Sequence, residues 1–289
     1  MGLVGVDPPT VDTAPGSYYQ RLVMHHSAPE STRPTLGGFS LSACSAALML
    51  ALLAPGPLAA EPAATPYRPT ISNPAELPEP GWLDAELGWQ YVAKGANVRR
   101  HSMPYLLKFA FNEDFGLLLG GDSYVSQVEQ KDSSANDGFG SVSGFAKARF
   151  EVNETSVFGL ELGAAHQSFE GGTADFIANG IYSQDMGPVR LDANLSFSRL
   201  GVIDDGEGRY PVGWAVALGF PIAGQWGGAI EFAGSYRRGA DPFAQFLATA
   251  NYTWHPRVVF DFGVATGLTS ASQDITVFAG VTALLWQVF

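Results

Sequence analysis

The sequence predicts an all-β fold, a transmembrane antiparallel up-and-down β-barrel of about twelve strands. Three observations predict it. Apolar and polar residues alternate in one segment after another from Trp82 to the end of the chain. The apolar phase of these segments contains no Asp, Glu, Lys or Arg, although 15% of all residues are charged. The connections between segments are alternately short and longer, as they are at the two ends of an outer-membrane barrel.

The first 60 residues are predicted to be an N-terminal extension that contains a signal peptide. Residues 40–54, SLSACSAALMLALLA, form an uncharged and largely apolar run of about the length of a signal h-region. Small residues follow this run as far as Ala60, which is the predicted cleavage point. A membrane helix would need about 18 or more apolar residues in a row. The run therefore indicates export rather than a membrane anchor.

Residues 61–81 form a Pro-rich arm, predicted to lie on the periplasmic side. The arm carries six prolines and has no strand or helix periodicity. Because proline has no backbone N–H, such a segment does not join a β-ladder easily. Two arrangements stay open, an arm that lies free and an arm that enters the barrel mouth as a plug. The residues of the possible plug are Tyr67, Arg68, Asn73 and Glu76.

Residues 82–289 are predicted to form the barrel. Twelve alternating segments begin near residues 82, 103, 115, 140, 156, 174, 188, 211, 226, 243, 258 and 274. The clearest runs from Val189 to Phe197, with Arg190 and Asp192 on its polar phase. Residues 211–230 are uncharged and long enough for a membrane helix. Their prolines and glycines, and the period of two in their large apolar residues, favour strands instead.

The predicted connections differ between the two ends of the barrel. Those after even-numbered segments are short and lie at residues 112–115, 152–155, 185–188, 221–225 and 255–257. Those after odd-numbered segments are mostly longer and polar, at 92–102, 127–139, 166–173 and 201–210, with modest ones at 238–242 and 268–273. Aromatic residues gather beside the short turns, where an interfacial girdle belongs. They are Phe111, Phe150, Phe158, Tyr182, Phe220, Trp226, Tyr252 and Trp254.

The polar phase is predicted to line a lumen. About twelve strands lie between the filled eight-stranded barrel and the open sixteen-stranded porin, so a narrow passage is expected. Its predicted lining carries charges of both signs: Lys108, Lys147, Arg149, Arg190, Glu86, Glu161, Asp192, Glu231 and Asp261. The four basic residues of this set are the candidate selectivity patch. The alternative is that these charges pair with one another and have only a structural role.

Composition excludes several other classes of protein. The net charge is −12 and the sequence has no Lys/Arg run, which gives nucleic-acid binding no electrostatic basis. One cysteine and five histidines leave little from which to build a metal site, and no metal or cofactor is predicted. The pairs His101–Ser102 and His166–Ser168 have residue types found in hydrolases, but no motif fixes their geometry. The protein is therefore not expected to be an enzyme.

Residues 68–83 and 99–108 carry a resemblance to a known family. The stretches RPT, SNPAELP and PGWL, followed by RRHSMPYLLK, resemble the start of the barrel family named for the MetA pathway of phenol degradation. The resemblance covers residues 68–289 and implies an outer-membrane barrel that helps aromatic or other hydrophobic compounds across the membrane. The terminal Phe289 is similar to the last residue of outer-membrane barrels, which implies recognition by the barrel-assembly machinery.

The sequence thus predicts a passive channel or transporter in the bacterial outer membrane. Its expected partners are small hydrophobic or aromatic molecules, outer-membrane lipids and the assembly machinery. Two alternatives come from other classes. One is a structural or adhesive barrel with a closed lumen, and the more remote one is a lipid-modifying outer-membrane enzyme.

Overall fold

The computed structural model describes residues 61–95, 98–129, 134–168, 173–203 and 205–289. The predicted signal peptide lies outside these residues. The described part of the chain is β-structure joined by turns and loops. Among the described residues, no helix is long and apolar enough to cross a membrane.

Thirteen strands occur in the described residues, and they include the twelve segments that the alternation predicts. Their bounds are β1 Trp82–Lys94, β2 Val98–Ala110, β3 Phe115–Glu129, β4 Ser134–Gly138, β5 Ser141–Asn153, β6 Ser156–Gln167, β7 Ala174–Met186, β8 Val189–Arg199, β9 Val212–Ala223, β10 Trp226–Tyr236, β11 Phe243–His255, β12 Val258–Gly267 and β13 Ile275–Gln287.

Twelve of these strands close a barrel, within the described part of the chain. Each pairs antiparallel with its neighbours in sequence, apart from the short β4, which pairs only with the far end of β3. Closure is made by β1 and β13, with Trp82 opposite Gln287 and Ala93 opposite Ile275. A closed barrel leaves no unpaired strand edge, which is the condition for crossing a bilayer with β-structure.

The predicted fold class is confirmed, and the structure corrects two details of it. The strand predicted to begin near residue 103 begins at Val98, so residues 92–102 are mostly strand and not a long loop. The predicted loop at 127–139 contains the end of β3 and all of β4. Residues 211–230, considered as a membrane helix, form β9 and the first half of β10.

The outer face of the barrel is apolar. Side chains of the predicted apolar phase are exposed there, including Leu87, Trp89, Leu162, Leu195 and Phe232. Their neighbours along each strand point inward, because successive residues of a strand face opposite sides of the sheet. An exposed apolar surface of this extent is stable when lipid covers it.

The two ends of the barrel differ as predicted. At one end, turns of two to four residues join the strands, and Gly187 and Gly224 adopt the left-handed conformation that such tight turns require. Most connections at the other end are longer, at residues 200–211 and 268–274 for example, whereas only residues 95–97 separate β1 from β2. The short turns mark the periplasmic end. The rings of Phe158 and Tyr182 are in contact beside them, with centroids 5.1 Å apart.

Candidate functional site: the lumen and the arm inside it

The Pro-rich arm lies inside the barrel. It starts at the periplasmic end, where the backbone N–H of Ala64 donates to the carbonyl of Pro256 at 2.9 Å. It returns to the same end, where Pro80 makes a parallel bridge with Ala110 and the chain enters β1. Between these points the arm residues are largely buried, including Tyr67, Ile71, Ser72, Asn73, Ala75 and Leu77. The inward faces of the strands bury them.

Two carboxylates of β1 hold the first part of the arm. The backbone N–H of Thr65 donates to Asp84 at 2.9 Å, and that of Tyr67 donates to Glu86 at 2.7 Å. Lys108 of β2 is fully buried between these carboxylates, 2.6 Å from Glu86 and 3.3 Å from Asp84. The Lys108 ammonium also donates to the carbonyl of Thr65. These buried charges are thus balanced by one another and by the arm backbone, as buried charges must be.

The next arm residue, Arg68, spans three strands. Its guanidinium donates to Asp261 of β12 at 3.1 Å and to the carbonyl of Ala279 of β13 at 3.3 Å. A Cβ atom built on Gly88 of β1 would lie 2.5 Å from the Arg68 Cζ atom, and one built on Gly280 would lie 2.6 Å from its Nε atom. Glycine at both positions therefore makes the room that the Arg68 side chain occupies.

Glu231 of β10 binds the arm at its middle. Its carboxylate accepts the backbone N–H of Ile71 at 3.0 Å and that of Ser72 at 2.8 Å. The Ser72 hydroxyl donates to the same carboxylate at 2.8 Å. A carboxylate that receives several donors is well compensated for its burial, and hydrogen bonds to a charged group are the stronger kind.

Asn73 binds the opposite wall. Its side-chain amide donates to Glu161 of β6 at 3.0 Å, and its backbone N–H donates to the side chain of Asn194 of β8 at 2.9 Å. Asn194 donates back to the Asn73 carbonyl at 2.9 Å. Lys147 of β5 joins this group, because its ammonium is 3.1 Å from Glu161 and donates to the Pro74 carbonyl at 2.6 Å.

The returning part of the arm takes part in a fourth ion-pair group. Arg190 of β8 forms an ion pair with Glu76 and also contacts Asp185 and Asp192 on the barrel wall. Burial alone would raise the pKa of Glu76, but the hydrogen bond and the charge of Arg190 outweigh burial and lower that pKa. Glu76 is therefore ionised over the whole pH range in which glutamate side chains are normally ionised. One residue earlier, the Ala75 N–H donates to Ser183 at 2.8 Å.

Tyr67 is the one aromatic residue of the arm, and it is buried, with an exposed fraction of 1%. Two ammonium groups lie over its ring, that of Lys108 at 4.4 Å and that of Lys147 at 4.1 Å from the ring centroid. Inward-facing Leu106, Leu118 and Phe145 complete its surroundings. Its hydroxyl donates to the Glu76 carbonyl at 2.5 Å. Burial raises the pKa of Tyr67, and nearby carboxylates raise it further, so the hydroxyl stays protonated.

The predicted lining residues thus fall into two groups. Seven of them contact the arm directly, namely Lys108, Lys147, Arg190, Glu86, Glu161, Glu231 and Asp261. The other two contact barrel residues: Asp192 pairs with Arg190, and Arg149 lies 3.3 Å from Glu151. All four predicted plug residues, Tyr67, Arg68, Asn73 and Glu76, contact the wall. The four basic residues of the candidate selectivity patch each lie in an ion pair.

Sequence reasoning missed several residues of the lumen. Arg100 of β2 and Asp122 of β3 form a fully buried pair at 3.5 Å, nearer the extracellular end. Arg237 forms another with Glu207 of the 200–211 loop. Apolar side chains such as Phe145 and Phe278 also point inward. Arg100 could have been found from the sequence, since it is a charged residue on the same polar phase as Lys108. Nothing in the sequence marks the inward-facing apolar residues as part of the lumen.

The structure separates the two side chains of one pair considered for catalysis. His101 and Ser102 are adjacent on β2 and so face opposite sides of the barrel wall, with the His101 ring against Tyr91 at 4.9 Å. Among the described residues, no group of three His, Cys, Asp or Glu side chains could hold a metal ion. The C-terminal Phe289 packs edge-on against Phe109, with ring centroids 5.7 Å apart.

Comparison with solved structures agrees with this architecture. The NanC porin superposes with a TM-score of 0.53 at 8% sequence identity, covering 70% of this chain and 100% of the porin. The KdgM porin is less similar, with a TM-score of 0.44, 11% identity and coverage of 68% of this chain and 98% of the porin. The Ralstonia pickettii toluene transporter TbuX has a TM-score of 0.46 and 8% identity, and the match covers 72% of this chain and 90% of the transporter. No family model matches the sequence, and no curated protein matches it either.

A closed antiparallel barrel with an apolar outer face and a polar lumen is a bacterial outer-membrane protein. This chain is such a protein, a twelve-stranded barrel by its described residues. Its lumen holds the arm formed by its own residues 61–80.

Proposed function

We propose that the protein is a passive outer-membrane channel for small hydrophobic or aromatic molecules, and that residues 61–81 are its internal plug. The observation that carries this proposal is the position of the arm. It lies inside the lumen, and it contacts seven predicted lining residues through hydrogen bonds and ion pairs. A passage through the barrel requires this arm to move.

The nature of the arm contacts favours a plug that can leave. Most join the arm to carboxylates and ammonium groups on the wall, and several of these groups also have wall partners, such as Glu86 for Lys108 and Glu161 for Lys147. When the arm leaves, these charges keep a partner and gain water. Displacement of the arm therefore leaves Lys108 and Lys147 paired, whereas Glu231 and Asp261, whose partners belong to the arm, are then solvated by water.

The apolar part of the lumen wall beside the arm favours hydrophobic molecules as the compounds transported. Leu106, Leu118, Phe145, Leu247 and Phe278 point inward and are buried. They come from five strands and place apolar surface next to Tyr67 and Arg68. A strictly polar lumen would suit sugars or ions, whereas apolar side chains among polar ones suit molecules that are mainly hydrophobic.

The link to phenol degradation is the finer part of the proposal. It is supported by the resemblance of residues 68–83 and 99–108 to the family named for that pathway. We further propose that Phe289 serves as the assembly signal and that residues 1–60 are removed on export. Outer-membrane lipids would then cover the apolar outer face.

A closed structural barrel is the second candidate, and the same pairing of charges favours it. In that case the arm is a permanent part of the core. Uptake of labelled aromatic compounds by cells with and without the gene separates the two candidates. We expect faster uptake of toluene or phenol in cells that contain the protein, with equal uptake of a labelled sugar as the control. Equal uptake of every compound would contradict a channel and favour the structural barrel.

A further inference from the structure

The surroundings of the Tyr67 ring have the composition of a binding site for an aromatic ring. Two ammonium groups lie over the ring, 4.4 and 4.1 Å from its centroid, which is within the range of a cation–π contact for each. Leu106, Leu118 and Phe145 supply the apolar part of the wall. All five of these wall residues belong to the strands, so they remain in place when the arm leaves.

We infer that the space filled by Tyr67 is a binding site for small neutral aromatic molecules and that the Tyr67 side chain occupies it as an internal ligand. This inference rests on the proposed function, since a passenger reaches the site only when the arm has moved. In the closed state, the tyrosine side chain is itself a para-substituted phenol held by the site. A passenger aromatic ring and the arm therefore compete for the same place.

The charges around the site select neutral rings over anionic ones. Lys108 is paired with Asp84 and Glu86, and Lys147 is paired with Glu161. These three carboxylates and two ammonium groups leave one excess negative charge near the ring. Benzoates and phenolates are repelled by this excess, whereas phenol, cresol and toluene are not. The hydroxyl of Tyr67 itself stays protonated in these surroundings.

Removing the tyrosine side chain exposes the site without removing the arm. In Tyr67→Gly, the backbone contact of residue 67 with Glu86 is kept, and so is the Glu76 carbonyl that accepts the phenol hydroxyl. We expect p-cresol to fill the space that is left, because its ring and hydroxyl reproduce the lost side chain. Because charged groups line part of this space, water fills it in the absence of a ligand and p-cresol displaces that water.

The experiment is calorimetric titration of purified, detergent-solubilised Tyr67→Gly with p-cresol, 4-methylcyclohexanol and 4-methylbenzoate. We expect p-cresol to bind about tenfold more tightly than 4-methylcyclohexanol, since only the aromatic ring gains the cation–π contacts. We expect no measurable binding of 4-methylbenzoate. Tyr67→Phe is the matched control, because its ring still fills the site and should block p-cresol. Equal binding of the two alcohols, binding of neither, or binding to the phenylalanine variant would overturn the inference.

A second measurement keeps the inference testable if the glycine variant does not fold. Ile71→Cys in a Cys44→Ser background places a thiol on the arm, where the Ile71 side chain is buried against Ala215 and Ala233. We expect p-cresol to speed the reaction of this thiol with a maleimide, because the ring competes with Tyr67 and releases the arm. The same rate with p-cresol and with 4-methylcyclohexanol would overturn the inference.

These binding measurements are independent of transport. If p-cresol binds but uptake of aromatic compounds does not depend on the protein, the site exists and the proposed channel function fails. If uptake depends on the protein but p-cresol does not bind, the channel function stands and the inference about the site fails.

Discussion

Gly88 of β1 and Gly280 of β13 face each other across the strand pair that closes the barrel, and the side chain of Arg68 lies over both. The guanidinium passes through the space that two side chains would otherwise fill and reaches Asp261 on β12. The barrel wall is thus shaped to receive this arm residue at the seam between its first and last strands.

Gly88→Ala should loosen the arm. The three atoms nearest to the new methyl group all belong to the Arg68 guanidinium, so this flexible side chain must move away from Asp261. Hydrogen bonds to charged groups contribute about 1.5–3 kcal/mol each, so we expect channel openings in a planar bilayer to become about tenfold more frequent. Gly144→Ala is the control, because its methyl group would meet nothing within 4 Å. Equal opening frequencies in the two variants would contradict the account.

Glu231→Gln should release the middle of the arm. The glutamine oxygen can still accept one hydrogen bond, but its NH₂ group faces the donors of Ile71 and Ser72. We expect amide hydrogen exchange at these two arm residues to become at least about tenfold faster. Glu154→Gln, in an exposed periplasmic turn, is the matched control and should leave both rates unchanged. Unchanged protection in Glu231→Gln would show that the carboxylate does not hold the arm.

Acid should weaken the contact between Glu76 and Arg190. The pKa of Glu76 is lowered in the folded protein, so this contact is fully present above the ordinary range of a glutamate pKa. It is lost as the pH falls through the lowered pKa. We expect the wild-type opening frequency to rise in that acidic range. In Glu76→Gln the frequency should be raised already at neutral pH and should depend less on pH. Identical pH profiles for the two proteins would rule out a contribution from Glu76.

Leu162→Arg tests the outer face. Leu162 lies midway along β6 with half of its side-chain surface exposed, on the side that lipid covers. Arginine at the midplane of an outer-membrane barrel costs about 2–4 kcal/mol. We expect urea unfolding in lipid vesicles to show this loss in the free energy of unfolding. Leu162→Ala measures the part that comes from lost apolar contact alone. An equal loss in both variants would mean that lipid does not cover this position.

The strand pattern could be predicted from the sequence because lipid excludes charge from every outward position it covers. Where the strands extend beyond the membrane, water permits charge and the pattern fails. For that reason the start of β2 at Val98, just before Arg99 and Arg100, was not predicted. The short β4 is built from small and polar residues and has no apolar phase to reveal it.

The candidate site could be predicted only as a set of inward-facing residues. The phase of each strand gives the side that Glu231 or Asp261 faces, but not its partner. Those partners lie far away in sequence, since Arg68 and Asp261 are separated by 193 positions. The arm itself has no periodicity that could align it with the wall. The reason for glycine at positions 88 and 280, which is space for the Arg68 side chain, is evident only once the path of that side chain is known.

The central claim is that residues 61–81 close a passage through the barrel, and deletion of residues 62–80 tests it most directly. The deleted protein and the wild type are reconstituted in planar bilayers after heat-modifiable gel migration has shown that both are folded. We predict a larger and persistently open single-channel conductance for the deleted protein, because the segment that occupies the lumen is gone. A conductance equal to that of the wild type would contradict the claim.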